Sequence, residues 1–148
     1  MKEFTAETWP VDQWPNFSFN EMKCKCGCGT CFLDDEDFMV QLQEVRDDLG
    51  FPLVVTSGYR CENHPIEKKK VTPGAHSFGQ AADIKWPSGG RDRKFLMELV
   101  TWAPGIGVSQ SFLHIDTIYE GDTHLSRLAF WIYPPSFQSY VPSEDRRE

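Results

Sequence analysis

The sequence has no long apolar run and no excess of basic residues. No stretch approaches the ~20 consecutive apolar residues of a membrane-spanning helix, and the opening Met-Lys-Glu-Phe-Thr lacks the apolar core of a signal peptide. The 148 residues carry 15 Lys and Arg against 22 Asp and Glu, a formal net charge of −7. We therefore expect neither nucleic acid nor a membrane as a partner, because both attract basic surfaces.

Repeats and low-complexity segments are also missing, and the composition is that of a folded protein. Hydrophobic residues make up 40% of the chain and aromatic residues 14%. A chain of this length buries about two-thirds of its unfolded surface as one unit. We expect a monomer with a single domain over 1–148, which has an irregular N-terminal arm at 1–20 and a polar C-terminal tail at 134–148.

Apolar spacing predicts two helices. The first covers 34–49, with Asp34 or Asp35 as its N-cap and Gly50 as its stop. The second covers 91–102 and ends before Pro104. Its inward-facing residues should be Phe95, Leu96, Leu99 and Val100.

Short β-branched or alternating segments predict strands between and after these helices. Asn20 is expected to cap a short helical turn before the cysteines. Helices and strands do not alternate strictly, which favours an α+β fold with a mainly antiparallel central sheet flanked by helices. The expected strands are 53–57, 80–86, 105–108, 112–117 and 127–133.

One histidine and one carboxylate are spaced in a way that predicts a metal site, completed by a second histidine. His76 and Asp83 lie seven positions apart, and catalytic zinc sites usually take three such protein ligands. The third candidate is His114, on a segment whose alternation predicts a half-buried strand with Asp116 on the same face. Asp83 lies between Ala82 and Ile84, and a buried carboxylate there needs a cation.

Three motifs follow one another in an order that resembles a known family. The motifs are Ser57-Gly58-Tyr59-Arg60, His76-x-x-Gly79-x-Ala81-Ala82-Asp83, and Gly105-Ile106-Gly107 followed by Phe112-x-His114-x-Asp116. The set is similar to the zinc D-Ala-D-Ala carboxypeptidase and L-alanyl-D-glutamate endopeptidase family of peptidoglycan peptidases, and the opening through the first cysteines resembles its short phage-type members.

The resemblance implies a fold, a cofactor and an activity. The fold would be the compact zinc DD-peptidase/Hedgehog-like one, with Zn²⁺ bound by His76, Asp83 and His114. The activity would be hydrolysis of peptide cross-links or stem peptides in bacterial peptidoglycan, by a carboxypeptidase or endopeptidase such as a phage endolysin. Sequence alone favours a surface ion pair for Arg60, whereas the resemblance implies that it pairs with a substrate carboxylate or polarises the scissile carbonyl.

The chain departs from the family pattern at the position of the general base. Many relatives have Glu or Asp three residues before the third ligand, where this chain has Ser111. Two alternatives stay open: Asp116 takes the proton from water, or Asp116 only orients His114. His124 is a further candidate base. Gly74 also stands where many relatives have Ser.

A second function therefore stays open beside the enzyme. In it the chain is a zinc-bearing module that has lost catalysis and binds cell-wall peptide or a protein partner. For the enzyme, we expect synthesis in the cytoplasm without a signal peptide, and access to the wall after release, for example through a holin, or as part of a virion. His64, in a polar loop, is expected to be a surface histidine.

Five cysteines leave three interpretations open. Cys28-x-x-Cys31 has the spacing of a zinc knuckle, although no second C-x-x-C pair or nearby His completes it, and Cys61 stands apart in sequence. A disulfide is the second interpretation, and reduced, partly buried thiols are the third. Four of the cysteines crowd into one short segment, namely Cys24, Cys26, Cys28 and Cys31.

Overall fold

The computed structural model describes residues 1–135 and residue 137. Within them the chain forms three α-helices, seven strands and two short 3₁₀ helices. The α-helices are α1 (Phe19–Met22), α2 (Phe38–Leu49) and α3 (Gly90–Leu99). The strands are β1 (Lys2–Glu3), β2 (Phe32–Leu33), β3 (Val55–Ser57), β4 (Ala81–Lys85), β5 (Gly105–Val108), β6 (Phe112–Asp116) and β7 (Ala129–Ile132). The 3₁₀ helices are Glu67–Lys69 and Ala75–Phe78.

A five-stranded sheet in the order β3-β4-β6-β5-β7 forms the centre of the fold. Three of its four neighbouring pairs are antiparallel, whereas β7 runs parallel to β5. The fold is thus α+β, as expected, and the sheet is mixed. The parallel pair arises because β6 ends and β7 begins at the same end of β5, on either side of Gly105, so β7 runs antiparallel to β6 and parallel to β5.

The two faces of the sheet have different roles. Leu113 and Ile115 of β6 point into the main hydrophobic core, which also contains residues of α2 and α3. His114 and Asp116 alternate with them and lie on the opposite face. The expectation of a half-buried β6 was wrong, because all five of its residues are buried. A central strand that is covered on both faces can hold polar residues only where they find partners.

Helix α2 begins later than the sequence indicated. The expected start at Asp34 or Asp35 was wrong, because the side chain of Asp34 accepts hydrogen bonds from the backbone N–H groups of Glu36 and Asp37 at 3.0 and 3.1 Å. These bonds form a turn, and the helix starts only at Phe38. Its end is as expected, since Gly50 adopts a left-handed conformation with φ 78°.

Helix α3 also differs from its expected limits of 91–102, because it spans Gly90–Leu99. Leu96 and Val100 are fully buried in the core, as expected. Phe95 was expected to face inward, but 38% of its surface is exposed. The shorter helix leaves residues 101–104 to form the connection into β5.

The N-terminal arm contributes to the core instead of lying on its surface. Trp9 and Trp14 are buried with their rings 5.2 Å apart, and Trp9 donates its indole N–H to the carbonyl of Phe17. Asn20 does not cap α1. Ser18 does, through a reciprocal capping box with Glu21.

The strands of the central sheet match their expected segments, β5 with the expected limits and the others with shorter ones. β7 covers Ala129–Ile132 of the expected 127–133, and β3 begins at Val55, two residues later than expected. Residues 136 and 138–148 of the expected tail lie outside the described residues. The single-domain division stays a prediction. In the described part of the chain, no helix combines the length and the apolar character that crossing a membrane requires.

Candidate metal centre

Sheet register and one short 3₁₀ helix bring together the three residues that the sequence singled out. Asp83 of β4 and His114 of β6 are direct partners across the antiparallel pair, so their side chains share a face. His76 comes from the 3₁₀ helix Ala75–Phe78 that precedes β4. One ligand atom from each residue lies within 4.8 Å of the other two, and all three side chains are buried. This group is called the His-Asp-His centre below.

His76 is held so that one nitrogen faces the centre. Its Nδ1 lies 2.7 Å from the carbonyl oxygen of Gly58, which can only accept, so Nδ1 carries the proton. Nε2 then presents its lone pair 3.2 Å from Asp83 Oδ1. Burial, together with the nearby Arg60 guanidinium, lowers the pKa of His76 to about 4. The imidazole is therefore neutral at pH 7, which is the form that binds a metal ion.

His114 lies between two carboxylates. Its Nδ1 is 3.0 Å from Asp83 Oδ1, and its Nε2 is 2.9 Å from Asp116 Oδ2. Burial alone would lower the pKa of His114, but the hydrogen bonds to Asp116 and Asp83 outweigh it and raise that pKa. Without a metal the ring shares protons with both carboxylates, and a cation facing Nδ1 would take the place of one proton.

The carboxylate of Asp83 divides its two oxygens between different partners. Oδ1 faces both imidazoles, and Oδ2 accepts a hydrogen bond from Arg60 Nη2 at 2.9 Å. Burial would raise the pKa of this carboxyl, but the two histidines outweigh it and the pKa lies well below its usual range. The buried side chain is therefore a charged carboxylate with one oxygen directed at the centre.

These donors fit zinc. Two imidazole nitrogens and one carboxylate oxygen are its usual ligands in sites that keep a fourth position open. Ligands at zinc distances in a tetrahedron lie about 3.3 Å apart. The separations from Asp83 Oδ1 to His76 Nε2 and to His114 Nδ1, 3.2 and 3.0 Å, are close to that value.

Asp116 lies behind His114, and its oxygens are fully engaged. It is 0% exposed, and Oδ2 accepts from His114 Nε2 and from Arg127 Nη2, the latter at 2.7 Å. Oδ1 accepts from Arg127 Nε at 3.0 Å and from the backbone N–H of Ile118 at 3.2 Å. Burial would raise the pKa of Asp116, but the bonds from His114 and Arg127 outweigh it and lower that pKa.

Arg60 is not the surface ion pair that sequence alone favoured, because it is only 6% exposed. Its guanidinium donates to Asp83, and its Nε donates to Ser57 Oγ at 3.0 Å. Nη1 also lies 3.5 Å from Glu67 Oε1. Arg60 and Glu67 further line a surface cleft of about 770 Å³, whose lining does not include the three residues of the His-Asp-His centre. Arg60 thus connects the buried centre with an open surface.

Three residues of the site were missed by sequence reasoning, namely Glu67, Arg127 and Trp131. Glu67 supports Arg60, Arg127 neutralises Asp116, and the ring of Trp131 packs on His114 with centroids 5.1 Å apart. Glu67 begins a 3₁₀ helix, Arg127 lies just before β7 and Trp131 lies on β7, and the local sequence of each gives no signal of its partner. A buried Asp116 did, however, require a cation from elsewhere in the chain.

The Gly-x-Gly of β5 provides space for this arrangement. Gly105 is the register partner of Asp116, and a Cβ at Gly105 would overlap the Asp116 carboxylate. Gly107 is the partner of His114, and a Cβ there would overlap the indole of Trp131. The spacing of these glycines is the signal from which bulky side chains next to this face of β5 could have been predicted.

The remaining candidates lie away from the centre or differ from expectation. Ser111 is exposed just before β6, and exposed His124 places its ring 5.9 Å from Phe78. His64 was expected at the surface, which was wrong. It is 2% exposed, and its Nδ1 accepts from the backbone N–H of Ile66. A Cβ at Gly74 would lie 2.5 Å from Lys70 Nζ, the end of a flexible side chain.

Comparison with known proteins decides the family. A family model described as Peptidase M15 matches residues 15–116, which include the whole His-Asp-His centre. The chain belongs to this family. No curated protein and no solved structure matches it. Family membership supports a zinc-dependent metallopeptidase, as the motifs indicated.

Proposed function

We propose that this M15 chain is a phage-type cell-wall hydrolase, a zinc-dependent peptidase that cleaves peptide cross-links or stem peptides of bacterial peptidoglycan. The observation that carries the proposal is the convergence of His76, Asp83 and His114 in one buried cluster with zinc-like separations. Family membership supports the reaction class and the substrate class.

Each member of the centre would bind through a defined atom. His76 would use Nε2, because Nδ1 is committed to Gly58, and His114 would use Nδ1, because Nε2 is committed to Asp116. Asp83 would use Oδ1 while Arg60 holds Oδ2. When bound, zinc polarises a peptide carbonyl and lowers the pKa of a coordinated water to about 7.

Of the two roles left open for Asp116, the contacts favour orientation of His114. A general base must reach the proton that it removes. Both oxygens of Asp116 already accept hydrogen bonds from His114, Arg127 and the Ile118 backbone, and the side chain is fully buried. Asp116 therefore keeps the proton of His114 on Nε2, which leaves Nδ1 free to bind.

Arg60 is assigned the electrostatic role in this proposal. Its planar guanidinium lies between buried Asp83 and the cleft, with its weaker contact to Glu67 on the cleft side. A planar fork suits a substrate carboxylate, and a fixed positive charge also stabilises an oxyanion as it develops. Glu67 and Ser57 fix the guanidinium so that little reorganisation is needed.

A second function, binding without catalysis, is favoured by one observation. The position three residues before His114 is exposed Ser111, which cannot act as a base at neutral pH. Both oxygens of the buried Asp116 already accept hydrogen bonds. In this alternative the centre would hold zinc and recognise cell-wall peptide without hydrolysing it. The two functions share the metal site and differ only in turnover.

Incubation of the purified protein with peptidoglycan tests the proposal. Release of peptides, identified by mass, should be abolished by a chelator, restored by zinc, and lost in His114→Ala. The masses also distinguish an endopeptidase from a carboxypeptidase. Sedimentation with peptidoglycan and no released peptide, at full zinc occupancy, would instead support the binding module.

A further inference from the structure

Four cysteine sulfurs form a second cluster, away from the His-Asp-His centre. Cys61 Sγ lies 3.6, 3.5 and 3.7 Å from the sulfurs of Cys24, Cys26 and Cys28. All four sulfurs lie within 4.8 Å of one another. Cys61 stands apart in the sequence, but the fold brings its sulfur to the other three. Cys31, which has knuckle spacing to Cys28 in one of the three interpretations left open, lies in the hydrophobic core.

The backbone brings the sulfurs together through two glycines and one loop. Gly27 and Gly29 have φ values of 102° and 71°, a conformation that side-chain-bearing residues rarely adopt. These two glycines turn the backbone of residues 24–31 so that the sulfurs of Cys24, Cys26 and Cys28 come close together. Cys61 arrives from the loop after β3, where the Tyr59 N–H donates to the carbonyl of Met22 at 2.9 Å.

A metal explains this arrangement better than a disulfide does. A disulfide joins two sulfurs, but Cys61 has three sulfur neighbours at similar distances, and all five cysteines are free thiols. Tetrahedral zinc with Zn–S bonds of 2.3 Å places its four sulfurs about 3.8 Å apart. The measured 3.5 to 3.7 Å are close to that separation.

Donors around the sulfurs are those that a thiolate site requires. The backbone N–H of Cys61 donates to Cys24 Sγ at 3.4 Å, and the N–H of Thr30 donates to Cys28 Sγ at 3.5 Å. The hydroxyl of Thr30 lies 3.0 Å from Cys28 Sγ. Such outer contacts orient metal-binding side chains and stabilise their charge.

We propose that Cys24, Cys26, Cys28 and Cys61 bind a structural zinc ion, which is separate from the His-Asp-His centre. Four thiolates leave no open position, so the ion takes no part in hydrolysis. A tetrahedral four-sulfur set also suits iron. We assign zinc because the site links the segment 24–28 to Cys61, and such a structural role needs no redox chemistry.

The zinc clasp, as we call this four-cysteine site, fixes the loop that supports the other centre. Cys61 directly follows Arg60, which holds Asp83, and Gly58 on the same loop accepts from His76. A Cβ on Gly58 would overlap the backbone of Met22, so the loop and the N-terminal segment are in close contact there. Loss of the clasp should therefore loosen both Arg60 and His76.

Zinc content per chain tests the clasp. Wild-type protein purified under reducing conditions should contain about two zinc ions, and Cys61→Ser should contain about one fewer. Cys31→Ala is the matched control, because Cys31 lies outside the cluster, and its zinc content should equal that of the wild type. Unchanged zinc content in Cys61→Ser would overturn the proposal, and one iron per chain in its place would overturn the assignment to zinc.

X-ray absorption at the zinc edge keeps the test valid if Cys61→Ser fails to fold. The variant used is His114→Ala, which retains all five cysteines and removes a ligand of the other site. Its zinc should show sulfur neighbours only, at about 2.3 Å. A nitrogen and oxygen shell would refute the clasp. If the His-Asp-His centre binds no zinc, wild type and His114→Ala would contain equal amounts of zinc. The sulfur neighbours seen in His114→Ala would then still support the four-cysteine site independently of the other centre.

Discussion

His114 Nε2 lies 2.9 Å from Asp116 Oδ2, and this contact determines which nitrogen of His114 faces the candidate metal centre. Because Asp116 accepts a hydrogen bond from the Nε2–H group, Nδ1 is the nitrogen directed at Asp83 and His76. The same contact, with the Arg127 fork on the other side of the carboxylate, leaves Asp116 without a free lone pair for water.

Removal of any ligand of the centre should remove its zinc. His76→Ala, Asp83→Ala and His114→Ala should each lose about one zinc per chain, because three ligands leave no redundancy. Stability should fall as well, by about 2.7 kcal/mol under conditions where free zinc is 100 times Kd. Elemental analysis and thermal unfolding measure these effects. His124→Ala, an exposed histidine outside the centre, is the control, and full zinc occupancy in Asp83→Ala would eliminate the site.

Asp116→Asn should act on zinc affinity more than on turnover. The amide cannot accept from both His114 and the Arg127 fork as the carboxylate does, so zinc affinity should fall by about 10–100-fold. Turnover at saturating zinc should fall less than about ten-fold. Titration of zinc into the apo variant, followed by peptide release, separates the two effects. A loss of about 10²-fold or more at saturating zinc would show that Asp116 is the general base after all.

Arg60→Lys should retain zinc but reduce turnover by about ten-fold or more. Lysine keeps the charge, yet it cannot contact Asp83, Ser57 and Glu67 together as the guanidinium does. Rates of peptide release and zinc content are measured on the same preparation. Arg91→Lys, at an exposed position of helix α3, should behave as the wild type. Equal rates for Arg60→Lys and the wild type would exclude a catalytic role for Arg60.

Arg127→Met should be strongly destabilising. It leaves the buried Asp116 carboxylate without its cation, and loss of one partner of a buried pair costs about 3–5 kcal/mol. The exposed pair of Lys94 with Glu98 offers a matched control, since Lys94→Met should cost less than about 1 kcal/mol. Denaturant unfolding measures both. Similar losses in the two variants would mean that the Asp116–Arg127 pair is solvated in solution.

Gly105→Ala tests whether the Asp116 carboxylate needs the space that Gly105 leaves. The added Cβ would overlap the Asp116 carboxylate, which cannot move without breaking its bonds to His114 and Arg127. We expect a loss of about 1–3 kcal/mol in unfolding free energy, together with weaker zinc binding. Gly90→Ala, where the Cβ would meet nothing within 4 Å, is the control. Wild-type zinc affinity in Gly105→Ala would show that Asp116 does not need this position.

The sequence by itself determined the residue types of the centre and the two strands that carry Asp83 and His114. Zinc ligands must be imidazole, carboxylate or thiolate, and their order along the chain was enough to select His76, Asp83 and His114. Local sequence patterns predicted α2 and the strands β5 and β6, because such patterns depend only on neighbouring residues. The limits of α2 were less accurate, since the Asp34 turn competes with the first helical turn.

Only the tertiary structure decided how these residues are used. Asp116 is engaged by Arg127, and Cys61 joins cysteines more than thirty positions earlier, through loops whose paths no local pattern specifies. The direction of β7 and the burial of both faces of β6 also depend on these loops. Such long-range contacts are set by packing of the whole chain, because a buried charge or a clustered thiol is stable only where its partners arrive.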